Sequence, residues 1–113
     1  MLIIISSEGG SLESKPCQRF GRSPYFIKYD LETDEWEAVN NPAVSEFGGA
    51  GVAASQFIIN NQASVIISGR FGPNALNVLK AAGIQMFTFN TGCDTNQKVI
   101  ELFKEGSLSQ GQA

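Results

Sequence analysis

Two uninterrupted apolar runs dominate the pattern of hydrophobic and polar positions along the chain. Residues 2–5 read Leu-Ile-Ile-Ile, and residues 65–67 read Val-Ile-Ile. Short apolar runs without alternation are typical of parallel strands that are covered by helices on both faces. We therefore predict that the two runs form neighbouring parallel strands at the centre of a sheet.

Alternating positions predict a hairpin, and helical spacing predicts three helices. Residues 25–31 and 35–39 alternate around an acidic turn, as antiparallel strands do. Apolar residues recur at helical spacing in 51–61 and in 74–82, which ends at Gly83. Residues 84–89 predict another strand, and Asp94-x-x-Gln97 resembles a capping box that opens a third helix. The predicted order β-β-β-α-β-α-β-α gives an α/β/α layered fold around a mixed sheet.

Length and charge describe one domain and exclude several classes of protein. The chain has 113 residues and a net charge of −3, so we expect one domain over residues 1–106 and a polar, disordered tail over residues 107–113. The negative charge argues against nucleic-acid binding, and no apolar run has membrane-spanning length. Residues 1–5 lack the basic flank and cleavage site of a signal peptide, so we expect a cytoplasmic protein. Two cysteines are too few for a disulfide framework.

The segment 68–74 has the features of an anion-binding loop. Gly69 and Gly72 let the backbone turn sharply after the second apolar run, and Pro73 suits the first position of a helix. A helix N-terminus presents unpaired N–H groups and about half a positive charge, and Arg70 adds a full charge beside it. A tight strand-to-helix connection with a surface arginine is the alternative interpretation.

Charges of opposite sign are expected at different places on the sheet. Four of the eight basic residues lie on loops after the first and fourth strands, namely Lys15, Arg19, Arg22 and Arg70. Five of the eleven acids crowd the hairpin, namely Asp30, Glu32, Asp34, Glu35 and Glu37. Ligands of open α/β sheets bind outside the carboxyl ends of the strands. The glycine-rich residues 48–51 either add free amides there or form a flexible connection.

Several pieces of sequence, in their order and spacing, resemble one known family. They are Glu-Gly-Gly-Ser-Leu-Glu-Ser at 8–14, Phe-Gly-Arg-Ser-Pro-Tyr-Phe at 20–26, Asn-Pro at 41–42, Gly-Gly-Ala-Gly at 48–51, Ser-Gly-Arg-Phe-Gly-Pro-Asn-Ala at 68–75 and Leu-Lys-Ala-Ala-Gly-Ile at 79–84. Together they resemble the dinitrogenase iron-molybdenum cofactor biosynthesis family, the NifX/NafY-like proteins. The resemblance implies a ribonuclease-H-like fold with a five-stranded mixed sheet of order 3-2-1-4-5 and an antiparallel strand 2. It also implies binding or carrying of iron-sulfur-type precursors of the nitrogenase cofactor.

The chain departs from this family at a position proposed to contact the cluster. Members often have a histidine directly before the Phe-Gly-Arg piece, where this chain has Arg19, and the chain contains no histidine. A metal would need Cys17, Cys93, carboxylates or external ligands. A predicted helix N-terminus beside Cys93 and basic residues around Cys17 favour a lowered thiol pKa. Since two cysteines cannot supply four thiolates, recognition of a pre-assembled anionic cofactor is favoured.

We expect a binding protein and not an enzyme. The first strand lacks the carboxylates of a metal-dependent nuclease, and no histidine can activate Ser6 or Ser7. The expected ligand is an anionic metal-sulfur cluster like the iron-molybdenum cofactor, its precursor or a small anion, and expected partners are cofactor-assembly proteins or an ATPase. The alternative is a regulatory module that docks a partner through its glycine loops. The assigned residues are Gly9, Gly10, Arg22, Gly48, Gly49, Gly51, Gly69, Arg70 and Gly72 for the cofactor, with Cys17 and Cys93 as candidate metal ligands.

Overall fold

The structure is a computed structural model that describes residues 1–44, 49–90 and 92–110. Its strands are β1 (Leu2–Ser7), β2 (Tyr25–Asp30), β3 (Trp36–Asn40), β4 (Val65–Ser68), β5 (Gln85–Thr88) and β6 (Ser109–Gln110). Its helices are α1 (Ala50–Asn60), α2 (Pro73–Ala81) and α3 (Asn96–Glu105), and a short 3₁₀ helix spans Phe20–Arg22. Within the described residues, no helix is long and apolar enough to cross a membrane.

All the strands belong to one mixed sheet with the order β3-β2-β1-β4-β5-β6. Strand β1 is parallel to β4, and β4 is parallel to β5, whereas β2 is antiparallel to both of its neighbours. The two apolar runs are therefore parallel neighbours at the centre of the sheet, as predicted, and the order of the first five strands is confirmed. The prediction of five strands is wrong because β6 adds a sixth.

Strand β6 comes from the segment that was expected to be a disordered tail. Gly106 ends α3 with a φ of 76°, a left-handed conformation that turns the chain back toward the sheet. Ser109 and Gln110 then pair antiparallel with β5, whose edge they cover. Residues 111–113 of the predicted tail lie outside the described part of the chain.

Helices cover both faces of the sheet, because successive residues of a strand point to opposite sides. Ile4 and Ile66 face one layer, where they share a buried cluster with Ile58 of α1 and Leu79 of α2. Neighbouring strand residues face the other layer, where they pack with Val99 and Ile100 of α3. The apolar runs are continuous because both of their faces are buried.

Helix α3 begins one residue later than predicted, with a different cap. Its N-cap is Thr95, whose side-chain oxygen accepts a hydrogen bond from the backbone N–H of Lys98 at 3.1 Å. The next free amides, of Asn96 and Gln97, donate to backbone carbonyls of the loop after β1, at 2.9 Å each. The predicted Asp94–Gln97 capping box is therefore wrong, since the loop supplies acceptors that local sequence does not show.

Candidate functional site

Buried hydroxyl groups join the carboxyl ends of β1 and β4 to the loop that follows β1. The hydroxyl of Ser6 donates to the carbonyl oxygen of Cys17 at 2.8 Å and lies 2.8 Å from the hydroxyl of Ser68. Neither serine is exposed to solvent. Because unpaired buried polar groups are costly, these contacts fix the loop over the ends of the two central strands.

Two further buried residues, Ser23 and Asn96, hold the two ends of the loop that follows β1. The hydroxyl of Ser23 accepts from the backbone N–H of Ser7 at 2.9 Å and donates to the carbonyl of Tyr25 at 2.6 Å. The side-chain amide of Asn96 donates to the hydroxyl of Ser7 at 2.8 Å and to the carbonyl of Ser11 at 2.9 Å. Sequence reasoning missed Ser23 and Asn96, because neither follows an apolar run and their partners are far away in sequence.

Arg19 and Arg70 are brought side by side by this loop. The two residues form a parallel β-bridge beyond the end of β4, and the backbone N–H of Phe20 donates to the carbonyl of Arg70 at 3.2 Å. Both side chains are exposed, and bridged residues point to the same side of the sheet. Neither guanidinium forms a salt bridge with another described residue, so no carboxylate of the described residues neutralises these two like charges.

Gly69 makes the approach of these two segments possible. A Cβ atom at this position would overlap the side-chain oxygen of Gln18 and would lie 2.7 Å from its Cα atom. Only a glycine fits such a close backbone contact. Gly69 therefore has a structural role, which is to bring the segment with Arg19 against the segment with Arg70.

The N-termini of α1 and α2 lie next to each other, and neither carries a side-chain cap. The N-cap residues are Gly49, at a φ of 67°, and Gly72. Gly51 in the first turn of α1 packs on Ala75 in the first turn of α2, since a Cβ on Gly51 would lie 3.3 Å from that of Ala75. Within the described residues, neither N-cap supplies a side-chain acceptor to the first-turn amides, which is the arrangement that favours an anion at a helix N-terminus.

Arg22 is placed beside the start of α1 by the 3₁₀ helix. A Cβ on Gly21 would lie 3.0 Å from the backbone nitrogen of Gly51, so the two backbones are in close contact. The Arg22 guanidinium also donates to the carbonyl of Val44 at 3.5 Å. We call the surface made by Arg19, Arg22, Arg70 and the first turns of α1 and α2 the basic edge.

Other predicted site residues lie elsewhere. A Cβ on Gly9 would meet the hydroxyl of Ser14, and a Cβ on Gly10 would meet Ala38 of β3, so both glycines have neighbours outside the basic edge. Lys15 is exposed on the same loop, and its carbonyl accepts from the backbone N–H of Glu8 at 2.8 Å. Gly48 lies outside the described residues.

Both cysteine side chains are buried, each with 5% of its surface exposed. Burial raises the pKa of the Cys17 thiol, a backbone hydrogen bond with Arg19 lowers it by less, and the nearby Glu8 carboxylate raises it further. Burial likewise raises the pKa of Cys93, with Lys98 opposing the shift. The expectation of lowered thiol pKa values is wrong, because desolvation outweighs the hydrogen bonds at Cys17 and the charge of Lys98 at Cys93.

The two thiols do not form a ligand set with other side chains. Among the described residues, no three histidine, cysteine, aspartate or glutamate side chains are grouped so that they could hold a metal ion. Cys93 lines a cavity of about 220 Å³ between β5 and the chain that follows α3, together with Leu102 and Leu108. Its surroundings differ from those of Cys17, which contacts Ser6 and Arg19.

Comparison with known proteins connects this geometry to one family and one fold. Residues 1–106 match the family described as "Dinitrogenase iron-molybdenum cofactor". The chain is 32% identical over 94 residues to an uncharacterized protein of Methanocaldococcus jannaschii, an alignment that covers 80% of this chain and 78% of that protein.

Two solved structures are similar over almost the whole chain. The apo form of the orange protein from Desulfovibrio gigas matches with a TM-score of 0.91 and 31% identity, covering 97% of this chain and 92% of that one. A Thermotoga protein of the DUF35 family, described as a candidate NifB protein, matches with a TM-score of 0.84 and 34% identity, covering 96% and 91% of the two chains.

Proposed function

Because the chain belongs to the dinitrogenase iron-molybdenum cofactor family, we propose that it binds and carries an anionic metal-sulfur cluster as cargo. The cluster would resemble the iron-molybdenum cofactor or a precursor of it, and it would be held at the basic edge without catalysis. The main observation that supports this proposal is the bridged pair Arg19 and Arg70, which lies beside two helix N-termini without side-chain caps.

The charge arrangement favours an anion at this place. Like charges on directly paired residues destabilise a sheet unless something lies between them. A bound anion would relieve the repulsion between Arg19 and Arg70 and would also accept hydrogen bonds from their guanidinium groups. The two helix ends add about half a positive charge each, so an anion here would meet roughly three positive charges.

The donor atoms favour recognition of a finished cluster over its ligation by the protein. Burial raises the pKa values of the Cys17 and Cys93 thiols, which opposes the thiolate form that metal ligation requires. The related orange protein was solved in its apo form, a term for a protein that also exists with a bound group. A binding role agrees with that name, and assembly proteins of the cytoplasm would deliver and accept the cargo.

Anaerobic titration with isolated iron-molybdenum cofactor tests the proposal. We expect wild-type protein to retain the cofactor on gel filtration, as measured by its visible absorption. Arg70→Ala and Arg19→Ala should each weaken binding by about 10- to 150-fold, since a hydrogen bond to a charged group contributes about 1.5–3 kcal/mol. The Arg22→Ala variant tests the third arginine of the basic edge in the same assay.

Lys80→Ala is the matched control for these variants. Lys80 is exposed in the last turn of α2, at the opposite end of that helix from the basic edge. Its loss changes the net charge by the same amount and should leave binding unchanged. Equal weakening by Lys80→Ala and Arg70→Ala would show a general charge effect and would contradict the proposed site.

A further inference from the structure

Strand β3 is an outer strand of the sheet, and its outward backbone groups have no partner within the described residues. The backbone N–H of Asp30 donates to the carbonyl of Glu35 at 2.9 Å, and that of Asn41 donates to the carbonyl of Pro24 at 3.1 Å. Since hydrogen bonds of an antiparallel pair alternate along a strand, the odd-numbered residues of β3 bond to β2. The N–H and C=O groups of Trp36, Ala38 and Asn40 therefore point away from the sheet.

An acidic groove of about 320 Å³ lies beside this free edge. It is lined by Leu2, Lys28, Asp30, Glu35, Trp36 and Glu37. The groove contains three carboxylates and one ammonium group, and that ammonium group lies 3.6 Å from the Glu37 carboxylate. The N-terminal ammonium group lies 3.9 Å from the Asp30 carboxylate, whereas Glu35 forms no salt bridge with another described residue. The indole of Trp36 is 41% exposed, which is unusual for so large an apolar side chain.

We infer that the free edge of β3 and this groove dock an extended, lysine- or arginine-containing segment of a partner protein. Such a segment would add to the sheet as a further strand, with hydrogen bonds to the backbone of Trp36, Ala38 and Asn40. On one face of the sheet, the carboxylates that line the groove would attract its basic side chains. The side chain of Trp36 lies on the opposite face, with that of Tyr29, where it would pack against the apolar side chains of the segment.

Charge complementarity decides against a second copy of this chain as the occupant. Two β3 edges in contact would bring the Glu35 and Glu37 carboxylates of one copy against those of the other. Charged side chains on an edge strand prevent such self-pairing, and they attract a strand of opposite charge.

Docking at β3 leaves the basic edge accessible, and the inference does not rest on the proposed cargo. The groove includes Leu2, at the start of β1, whereas the basic edge is built from loops beyond the ends of β1 and β4. In the sheet, β2 lies between β3 and the central strands β1 and β4, whose ends support the basic edge. A partner could therefore hold the protein through β3 while the ends of the central strands stay open.

A defined peptide provides the test, with Trp36 as the probe because it is the chain's one tryptophan. The peptide Thr-Lys-Val-Lys-Val-Lys-Val-Lys-Thr should change the tryptophan fluorescence on titration. In ¹⁵N-labelled protein it should shift the amide signals of Trp36, Ala38 and Asn40 most strongly. A matched peptide with glutamate in place of each lysine should bind at least tenfold more weakly, and added salt should weaken the lysine peptide.

Two variants separate the backbone contribution from the charge contribution. Ala38→Pro removes one outward N–H and leaves the hydrogen bonds to β2 in place, so it should weaken peptide binding by at least about tenfold. Glu35→Gln should weaken binding by about two- to fivefold, whereas Glu105→Gln, an exposed acid at the end of α3, should have no effect. If Ala38→Pro unfolds, the two peptides and Glu35→Gln still decide the question.

Three results would overturn the inference. The first is equal binding of the lysine and glutamate peptides. The second is a set of amide shifts that omits Trp36, Ala38 and Asn40, or no change at millimolar peptide. The third is a concentration-dependent dimer that forms through β3 in the absence of peptide, as measured by sedimentation and by Trp36 fluorescence.

Discussion

Two glycines three positions apart in the loop after β4 should respond oppositely to the same substitution. A Cβ at Gly69 would lie 2.7 Å from the Cα of Gln18, whereas a Cβ at Gly72 would meet nothing within 4 Å. Gly72 also has an ordinary extended backbone, with a φ of −75°. We therefore expect Gly69→Ala to destabilise the fold and Gly72→Ala to leave it nearly unchanged.

The size of the effect follows from what the added methyl group displaces. The side-chain oxygen of Gln18 can rotate away, but its Cα can move only if the backbone of that segment moves. This movement pulls on the hydrogen bond between Phe20 and Arg70, which is 3.2 Å long. Overpacking typically costs about 1–3 kcal/mol, and a weakened hydrogen bond adds up to about 1 kcal/mol. For Gly72→Ala, the entropy lost by the unfolded chain offsets the poorer N-cap, so the net change should stay within about 0.5 kcal/mol.

Urea denaturation measures both variants against wild type. With an m-value of about 1–3 kcal/mol per molar urea, a loss of about 2 kcal/mol lowers the midpoint of Gly69→Ala by roughly 1 M. Gly72→Ala should have the midpoint of wild type within about 0.3 M. Equal midpoints for the two variants would refute the close contact between Gly69 and Gln18, and with it the placement of Arg19 beside Arg70.

Three further predictions concern the core, the hairpin and the thiols. Ile66→Ala should cost about 2–5 kcal/mol in urea denaturation, because Ile66 is fully buried at the centre of the sheet; a cost below about 1 kcal/mol would contradict that placement. Hydrogen bonds from Tyr29 and Lys104 hold the pKa of Asp34 below its usual 3.8, so this stabilisation is present above pH 3.8 and is lost as the pH falls through the lowered value. Wild type should therefore lose more stability in acid than Asp34→Asn does, and a parallel loss would argue against the contact. Iodoacetamide at neutral pH should alkylate Cys17 and Cys93 much more slowly in the folded protein than in urea, because burial raises each thiol pKa; similar rates would show exposed thiolates.

The central strands could be predicted from sequence because burial on both faces leaves a local pattern. Successive apolar residues of strands β1 and β4 face the two helical layers alternately, so both strands have an uninterrupted apolar run. Strand β6 has no such pattern, since Ser109 and Gln110 are polar and exposed. It forms because Gly106 turns the chain back along the free edge of β5, a condition that depends on tertiary structure.

The candidate site could be predicted in its location but not in its contacts. Topology alone places the loops with Arg22 and Arg70 near the carboxyl ends of the central strands. The pairing of Arg19 with Arg70 depends on the close approach of Gly69 to Gln18, which joins residues far apart in sequence. The thiol pKa values were predicted in the wrong direction, because local sequence shows neighbouring charges and does not show burial.

The most direct test of the account compares loss of the thiols with loss of the paired arginines. The measurement is the amount of isolated iron-molybdenum cofactor that each protein binds under anaerobic conditions. The proteins are wild type, the double variant Cys17→Ser/Cys93→Ser and the double variant Arg19→Ala/Arg70→Ala. Circular dichroism checks that each variant has an intact fold. The account predicts that the serine variant binds nearly as much cofactor as wild type and that the arginine variant binds little. Retention of the cofactor by the arginine variant together with its loss from a folded serine variant would contradict recognition at the basic edge and would make the cysteines the ligands.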